Sequence, residues 1–350
     1  MTALARPAGA FDSQNMFEAT AGLPEQVAAA SAAAHGLEGL PSHDYVENVV
    51  VLGMGGSGIA GDVMVAVAGP FLPVPVTVVK SYAPPDFVGR GSLVFAVSFS
   101  GDTEETVEAA GEAAAAGASL VVVTSGGELA RLAGEWGAPV VSVPADIPQP
   151  RAALGAMAIP PLIVLEEIGL FPGASQWVVL AVDQIARRRD GLLRQGNVAQ
   201  EVARHLHRTI PLVYGAHGLG STAAQRWKTQ MNENAKSPAF WATYPELCHN
   251  EIAGWGQAGD VTRQVMSVVN LRHEAEHPQV QRRFDLVTDL LREVVADVIE
   301  VRAEGEGDLA QLLDLIMVGD FVSLHLAVAE GIDPGPVPVL VDLKASLREA

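Results

Sequence analysis

Residues 50–62 read VVLGMGGSGIAGD, an apolar run that breaks into glycines at Gly53, Gly55 and Gly58 and then resumes as a small-residue segment. An apolar run that stops at glycines and restarts at helical spacing is a strand, a tight turn and the first turn of a helix. The spacing also matches G-x-G-x-x-G, in which glycines let the backbone turn and a helix N-terminus offers its unpaired amides to a phosphate. Two ligand readings follow, a dinucleotide or a smaller phosphate, beside a third in which the turn binds nothing. A dinucleotide site expects an acidic residue at the end of the second strand, about 20 residues on, to hold the ribose. That strand, PVTVVK, ends instead in Lys80-Ser81.

Outward from this loop the chain alternates. Short β-branched runs lie near 48–53, 75–79, 93–98, 119–124 and 139–143, separated for the most part by Ala/Glu-rich stretches of helical length near 58–68, 103–116 and 128–136. Strands alternating with helices predict βαβ units and a parallel sheet, and the lack of polar alternation predicts strands covered on both faces. Residues 13–40 read as one or two leading amphipathic helices. The proline-rich ADIPQPRAALG at 145–155 marks a connection, and helices fill 151–208. A second alternation follows at 210–214, 264–271 and 295–301. Tyr214-Gly215 and then Gly220 echo Leu52-Gly53 and then Gly58, but the second loop, GAHGLGST, has drifted. The expected organisation is an α/β protein of two related domains, each a parallel sheet flanked by helices in three layers. It has a helical lead over 1–45, a first domain over 46–150, connecting helices over 151–208 and a second domain over 209–350.

Composition narrows the partners. The 350 residues carry a net charge of −19, which argues against nucleic acid, whose backbone needs a basic face. An anionic ligand would need a site made locally from amides and hydroxyls. One cysteine, Cys248, rules out an intrachain disulfide. The opening MTALARPAGAFDSQN lacks the apolar centre of a signal peptide, and no uninterrupted run approaches the ~18 apolar residues of a membrane span. Ile159–Leu165 is short and flanked by Glu166-Glu167. The expectation is a cytoplasmic protein.

The third strand ends in Val97-Ser98-Phe99-Ser100-Gly101-Asp102-Thr103-Glu104-Glu105-Thr106. Helix capping accounts for one or two of these residues. It does not account for Ser98, Ser100 and Thr103 around one glycine, beside another glycine-rich strand end. Carboxyl ends of neighbouring parallel strands share one crevice, so hydroxyls and amides of both loops are placed to enclose a compact phosphate.

GMGGSG together with SFSGDTEET and VVVTSGGELA resembles the sugar isomerase (SIS) domain, which binds phosphosugars. NENAKSPAFW at 232–241 and PELCHNEIAGW at 245–255 narrow the resemblance to the bifunctional phosphoglucose/phosphomannose isomerase family, and it extends from MFEATAGLPEQ to DLKASL. The resemblance implies that Gly55, Gly56, Ser57, Ser98, Ser100 and Thr103 hold the phosphate. It implies that Glu233 is the base moving a proton between C1 and C2, that Arg151 lies beside the developing enediolate, and that Lys344 lies near the ring oxygen and hydroxyls. It implies that His249 helps open the sugar ring, reaching the site from a partner subunit in a homodimer. In members of this family the turn before the C-terminal lysine often carries a threonine linked to accepting both C2 epimers. Here Gly331–Pro338 has none, which leaves the glucose-versus-mannose preference open.

The chemistry is coherent on its own terms. Aldose–ketose isomerisation needs a base that removes and returns a carbon-bound proton, a fixed cation for the enediolate, and a group titrating near neutrality for ring opening. Carboxylate, arginine and histidine suit these tasks. No redox cofactor and no metal is required. His205/His207, at i,i+2 on a helix, and His273/His277, without an accompanying acid–histidine set, do not read as a metal site. Cys248 beside His249 has no acyl-transfer motif around it. A sugar-phosphate-binding regulatory protein without turnover is the alternative of a different class. An NAD-dependent dehydrogenase is disfavoured by Lys80.

Overall fold

A computed structural model describes residues 11–349. Residues 1–10, on which most of the stretch read above for a signal peptide falls, lie outside the described residues, as does Ala350. The chain opens with α1 (Met16–Ala21) and α2 (Leu23–Ala34). It then enters a parallel sheet through β1 (Asn48–Leu52), α3 (Gly55–Val67), β2 (Val76–Val79), β3 (Ser92–Ser98), α4 (Glu104–Ala115), β4 (Ser119–Thr124), α5 (Gly127–Trp136) and β5 (Val140–Ser142). Strand order is β2-β1-β3-β4-β5, all parallel, with Val50 registered on Thr77 and on Val94.

The strand sequences show no polar alternation because each face is covered. Val49, Val51, Phe95 and Val123 point into one apolar cluster with residues of α3 and of α6 (Leu154–Glu167). Val50, Leu52, Val94 and Val122 point into another with Ala109, Ala110, Ala113, Leu129 and Ala133 of α4 and α5. This is the three-layer arrangement the sequence predicts.

After α6 come α7 (Ala174–Leu192) and α8 (Val198–Leu206), then the second sheet: β6 (Ile210–Ala216), α9 (Leu219–Asn234), β7 (Phe240–Tyr244), α10 (Gly259–Val265), β8 (Met266–Arg272), α11 (Pro278–Leu291) and β9 (Asp297–Arg302). Its order is β7-β6-β8-β9, also parallel. Strand β7 lies inside a stretch that sequence reading took only as a chemical motif. It is an edge strand, with Phe240 and Trp241 exposed.

The long helix α12 (Asp308–Ala329) packs against α7, α8 and α9, and α3 packs against both α6 and α9, so helices join the two sheets through one continuous core. Among the described residues α12 is the one helix long and apolar enough to cross a membrane, and 89% of its most apolar window is buried inside the fold. Scanning for uninterrupted apolar runs overlooks it because Gln311, Asp314, Asp320 and His325 punctuate it. Each of these lies in the interior. Asp314 takes Arg188 and Gln184, and Gly319 lies so close to Trp227 that a Cβ would collide with the indole. A last helix, α13 (Pro338–Glu349), follows a turn at 333–335.

Both sheets have a switch point, between β1 and β3 and between β6 and β8, where neighbouring strands lead to helices on opposite faces. Crevices at the carboxyl ends of such strands are where this architecture binds ligands.

His325 on α12 is buried between Phe17 and Phe321, and its Nε2 has no hydrogen-bond partner. Burial pushes its pKa down to about 4 from 6.5. The unfolded chain therefore binds this proton between pH 6.5 and 4 while the folded chain does not, so stability is complete above 6.5 and falls as pH drops through that window. The loss reaches about 3 kcal/mol by pH 4. His325→Phe is expected to remove this share, and urea midpoints of both proteins from pH 7.5 to 4 read it directly.

Candidate active site

The first loop opens α3 at the crevice. Gly55 has φ 51°, a left-handed conformation in which glycine is favoured. A Cβ on Gly56 would lie 3.1–3.2 Å from the backbone of Pro150 and Arg151, so Gly56 lets the connecting segment close over the helix start. The first α3 hydrogen bonds run from Ser57 N and Gly58 N to Met54 O, which leaves the Gly55 and Gly56 amides ahead of the helical ladder. The Ser57 hydroxyl accepts from Phe99 N at 3.1 Å and so ties this loop to the end of β3.

The second loop is self-braced. Ser98 Oγ pairs with Thr103 Oγ1 at 2.9 Å and accepts from Gly101 N at 3.1 Å. Ser98 is fully buried and does not line the cavity, whereas Ser100 and Thr103 do. The cavity they share with Gly55, Gly56 and Ser57 is about 690 Å³, and its other walls include Gln149, Arg151, Glu233, Pro336, Val337 and Lys344.

Arg151 is 2% exposed, and each of its guanidinium nitrogens is engaged. Nε donates to Asn234 Oδ1 at 2.7 Å. Nη1 donates to Gln149 Oε1 at 3.1 Å and to Glu233 Oε2 at 3.4 Å. Nη2 donates to the carbonyls of Pro334 and Gly335. Burial pulls the arginine pKa below its ordinary value, Glu233 pulls it back, and Arg226 adds to the depression. Glu233, in the last turn of α9, has a side chain 28% exposed, so its carboxylate touches the arginine and still opens to the cavity.

Beneath this pair a buried scaffold holds the arginine. Arg226 lies bidentate on Asp320, at 3.0 and 2.8 Å, and donates to the Arg151 carbonyl. Asn234 Nδ2 donates to Ser323 Oγ at 2.9 Å.

The other sequence candidates are placed as follows. Lys344, on exposed α13, lines this cavity and a neighbouring acidic one that also carries Asp102, Glu104, Glu105, Glu108 and Glu128. His249 is exposed and is not a wall of the cavity in its own chain. Gln149 and Gln14 were missed. Gln149 accepts from Arg151 and donates to Gln14 Oε1 at 2.8 Å. Gln149 could have been found from its place two residues before Arg151, but Gln14 has no local signal. Lys80 pairs with Asp62 at 2.5 Å. His205 pairs with Asp297 and His207 with Glu330, and His277 accepts from Gln279 N at the start of α11. Among the described residues no three His, Cys, Asp or Glu side chains gather as a metal would require.

Residues 195–347 match the family described as bacterial phospho-glucose isomerase C-terminal SIS domain, and residues 46–136 match the SIS domain. A bifunctional phosphoglucose/phosphomannose isomerase of Caldicellulosiruptor bescii is 34% identical over 338 residues, 95% of this chain and 99% of the relative. The chain belongs to the bifunctional phosphoglucose/phosphomannose isomerase family. A second member, from Aquifex aeolicus, is also 34% identical, over 87% of this chain and 91% of its own. Among solved structures, the C-terminal domain of a glucosamine-fructose-6-phosphate aminotransferase from Francisella tularensis superposes with a TM-score of 0.69 at 17% identity. That match covers 92% of this chain and 97% of the other, and shows a shared fold.

Asp320→Ala leaves Arg226 buried and uncompensated, which typically costs about 3–5 kcal/mol. A drop of that size in urea-unfolding free energy is expected. The double variant Arg226→Met/Asp320→Leu, which removes both charges, is expected to recover most of it.

Proposed function

We propose that the protein is an aldose–ketose isomerase that interconverts fructose 6-phosphate with glucose 6-phosphate, mannose 6-phosphate or both, without a metal. The observation that carries this reading is one cavity with two chemically different sets of groups. Ser57, Ser100, Thr103 and the first amides of α3 suit a phosphate, while Glu233 and Arg151 suit carbon–hydrogen chemistry. In this reading residues 46–150 grip the phosphate and residues 209–350 supply the base.

Glu233 takes a proton from C1 of the open-chain ketose. The electrons of that bond form the C1–C2 double bond, and the charge develops on O2. Arg151, cationic and already fixed by four other acceptors, faces that charge without reorganising, which is how preorganised electrostatics lowers a barrier. Glu233 returns the proton to C2 while the O1 hydroxyl proton passes to O2, leaving an aldehyde at C1. In this reading Lys344, which lines the cavity from α13, meets ring and hydroxyl oxygens. Pro336, Val337 and Pro338 give the wall an apolar surface at the turn that lacks threonine, so each aldose must be assayed separately.

Glu233→Gln keeps the side chain's size but cannot accept the carbon-bound proton. General base catalysis contributes about 10²–10⁴ in rate, so kcat is expected to fall at least about a hundredfold with little change in KM. Coupled assays with fructose 6-phosphate in EDTA measure this for each product. Wild-type protein that binds the phosphosugar but turns over neither aldose would favour the regulatory alternative.

His249 lies outside the cavity of its own chain, beside a motif whose edge strand exposes Phe240 and Trp241. We read these together as a homodimer in which His249 of one chain serves ring opening in the other, in a cytoplasmic enzyme. Mixing inactive Glu233→Gln and His249→Ala proteins is then expected to restore activity as subunits exchange. A monomer with full activity in a sedimentation experiment would exclude the shared site.

A further inference from the structure

We infer that Lys236 is a positioning residue of this site: its ammonium pins the 333–335 turn onto the end of α9 and so holds Glu233 and the cavity wall leading into α13 in one fixed relation. The inference rests on the isomerase reading above and adds to it a residue that touches no substrate.

Three observations carry it. The first is the set of partners. Lys236 Nζ donates to the carbonyls of Glu233 at 2.7 Å, Asp333 at 3.0 Å, Pro334 at 3.3 Å and Asn234 at 3.4 Å. These belong to two segments about a hundred residues apart. They are backbone atoms, so the ammonium acts on the course of the chain. Two of the carbonyls lie at the C-terminal end of α9, where a cation is favoured by the helix dipole.

The second is the backbone. Lys236 follows the α9 cap residue Ala235 and has φ 53°, a position normally given to glycine or asparagine. A lysine in a conformation that glycine adopts more easily is there for its side chain.

The third is what the turn leads to. Pro334 O accepts from Lys236 and from Arg151 alike, and Gly335 O accepts from Arg151. Asp333 Oδ1 accepts from Gly335 N at 3.0 Å and Ser13 N at 3.3 Å, which closes the turn. Immediately beyond it Pro336, Val337, Pro338, Leu340 and Lys344 enter the cavity. The turn is therefore held from one side by the enediolate-facing arginine and from the other by Lys236. Its release would move both the base and the C-terminal wall.

The charged groups facing the ammonium are Arg151, Asp333 and Glu233. Burial and Arg151 push the Lys236 pKa down to about 8, while Asp333 and Glu233 oppose the shift. The protonated clamp is complete below pH 8 and weakens as pH rises through 8, so kcat is expected to decline on that limb.

The test compares Lys236→Gly and Lys236→Arg with wild type in the full-length protein. Glycine satisfies the φ of 53° and removes the clamp. The melting temperature is expected to stay or rise, while kcat falls about ten- to a hundredfold, since misplacement of the order of 1 Å costs that much, and KM for fructose 6-phosphate changes little. Arginine keeps a cation above pH 8 and is expected to retain most of kcat and to lose the alkaline decline near 8. Amide hydrogen exchange across 333–344 is expected to quicken in Lys236→Gly alone. Wild-type kcat in Lys236→Gly with unchanged exchange, or parallel losses of kcat, substrate affinity and melting temperature, would overturn the inference. If wild-type protein turns over no hexose 6-phosphate, the isomerase reading fails, and the exchange comparison still decides the clamp.

Discussion

The buried guanidinium of Arg151 is the constraint around which this molecule is organised. A charge removed from water is tolerated only when its donors are met by well-placed acceptors. Those acceptors come from the proline-rich connection (Gln149), the end of α9 (Glu233 and Asn234) and the turn before α13 (Pro334 and Gly335). Arg226 and Asp320, from α9 and α12, hold the Arg151 backbone from below. Segments distant in sequence thus meet at one cation, and the chemistry the site can do follows from the one carboxylate among those acceptors that also opens to the cavity.

The charge of −19 shapes the rest of the site. An acidic protein holds an anion only where local groups outweigh the general field. Backbone amides at the start of α3, hydroxyls on two loops, and the cations Arg151 and Lys344 line the cavity, and the proposed anion site depends on them. The adjoining cavity is lined by acids, and Glu104 and Glu105 raise the pKa of Tyr82 there. An anionic ligand is disfavoured on that side, which directs a phosphate towards the amide-lined end.

The two related halves separate what glycine does for packing from what it does for a ligand. A Cβ on Gly58 would lie 2.7 Å from Gly53 O, and one on Gly215 would collide with Gly220, so both halves need the outer glycine pair for strand and helix to meet. Between those pairs the halves differ. Gly55, Gly56 and Ser57 have counterparts in His217, Gly218 and Leu219, and Leu219 is buried in the core. The hydroxyl is present in one loop and replaced by an apolar side chain in the other. This is why the glycine spacing alone left the reading open between a ligand and a plain turn, and why the neighbouring Ser100 and Thr103 were needed to favour a phosphate.

The sequence by itself determined the parallel sheets, because strands covered on both faces cannot alternate in polarity. It also offered the phosphate-type loop, while Arg151 and Glu233 became candidates through the family that the motifs around them resemble. The tertiary structure decided what depends on partners far along the chain. Apolar runs could not identify α12, whose buried Asp314 and Asp320 make sense only against Arg188 and Arg226. Motif reading could not find Gln14, which enters the site through Gln149, or see that Ser98 braces its own loop. Nor could it see that Lys236 reaches carbonyls at 333 and 334. Periodicity reports which face of an element is buried. It carries no information on which distant group meets a buried polar atom, and in this protein those meetings build the site.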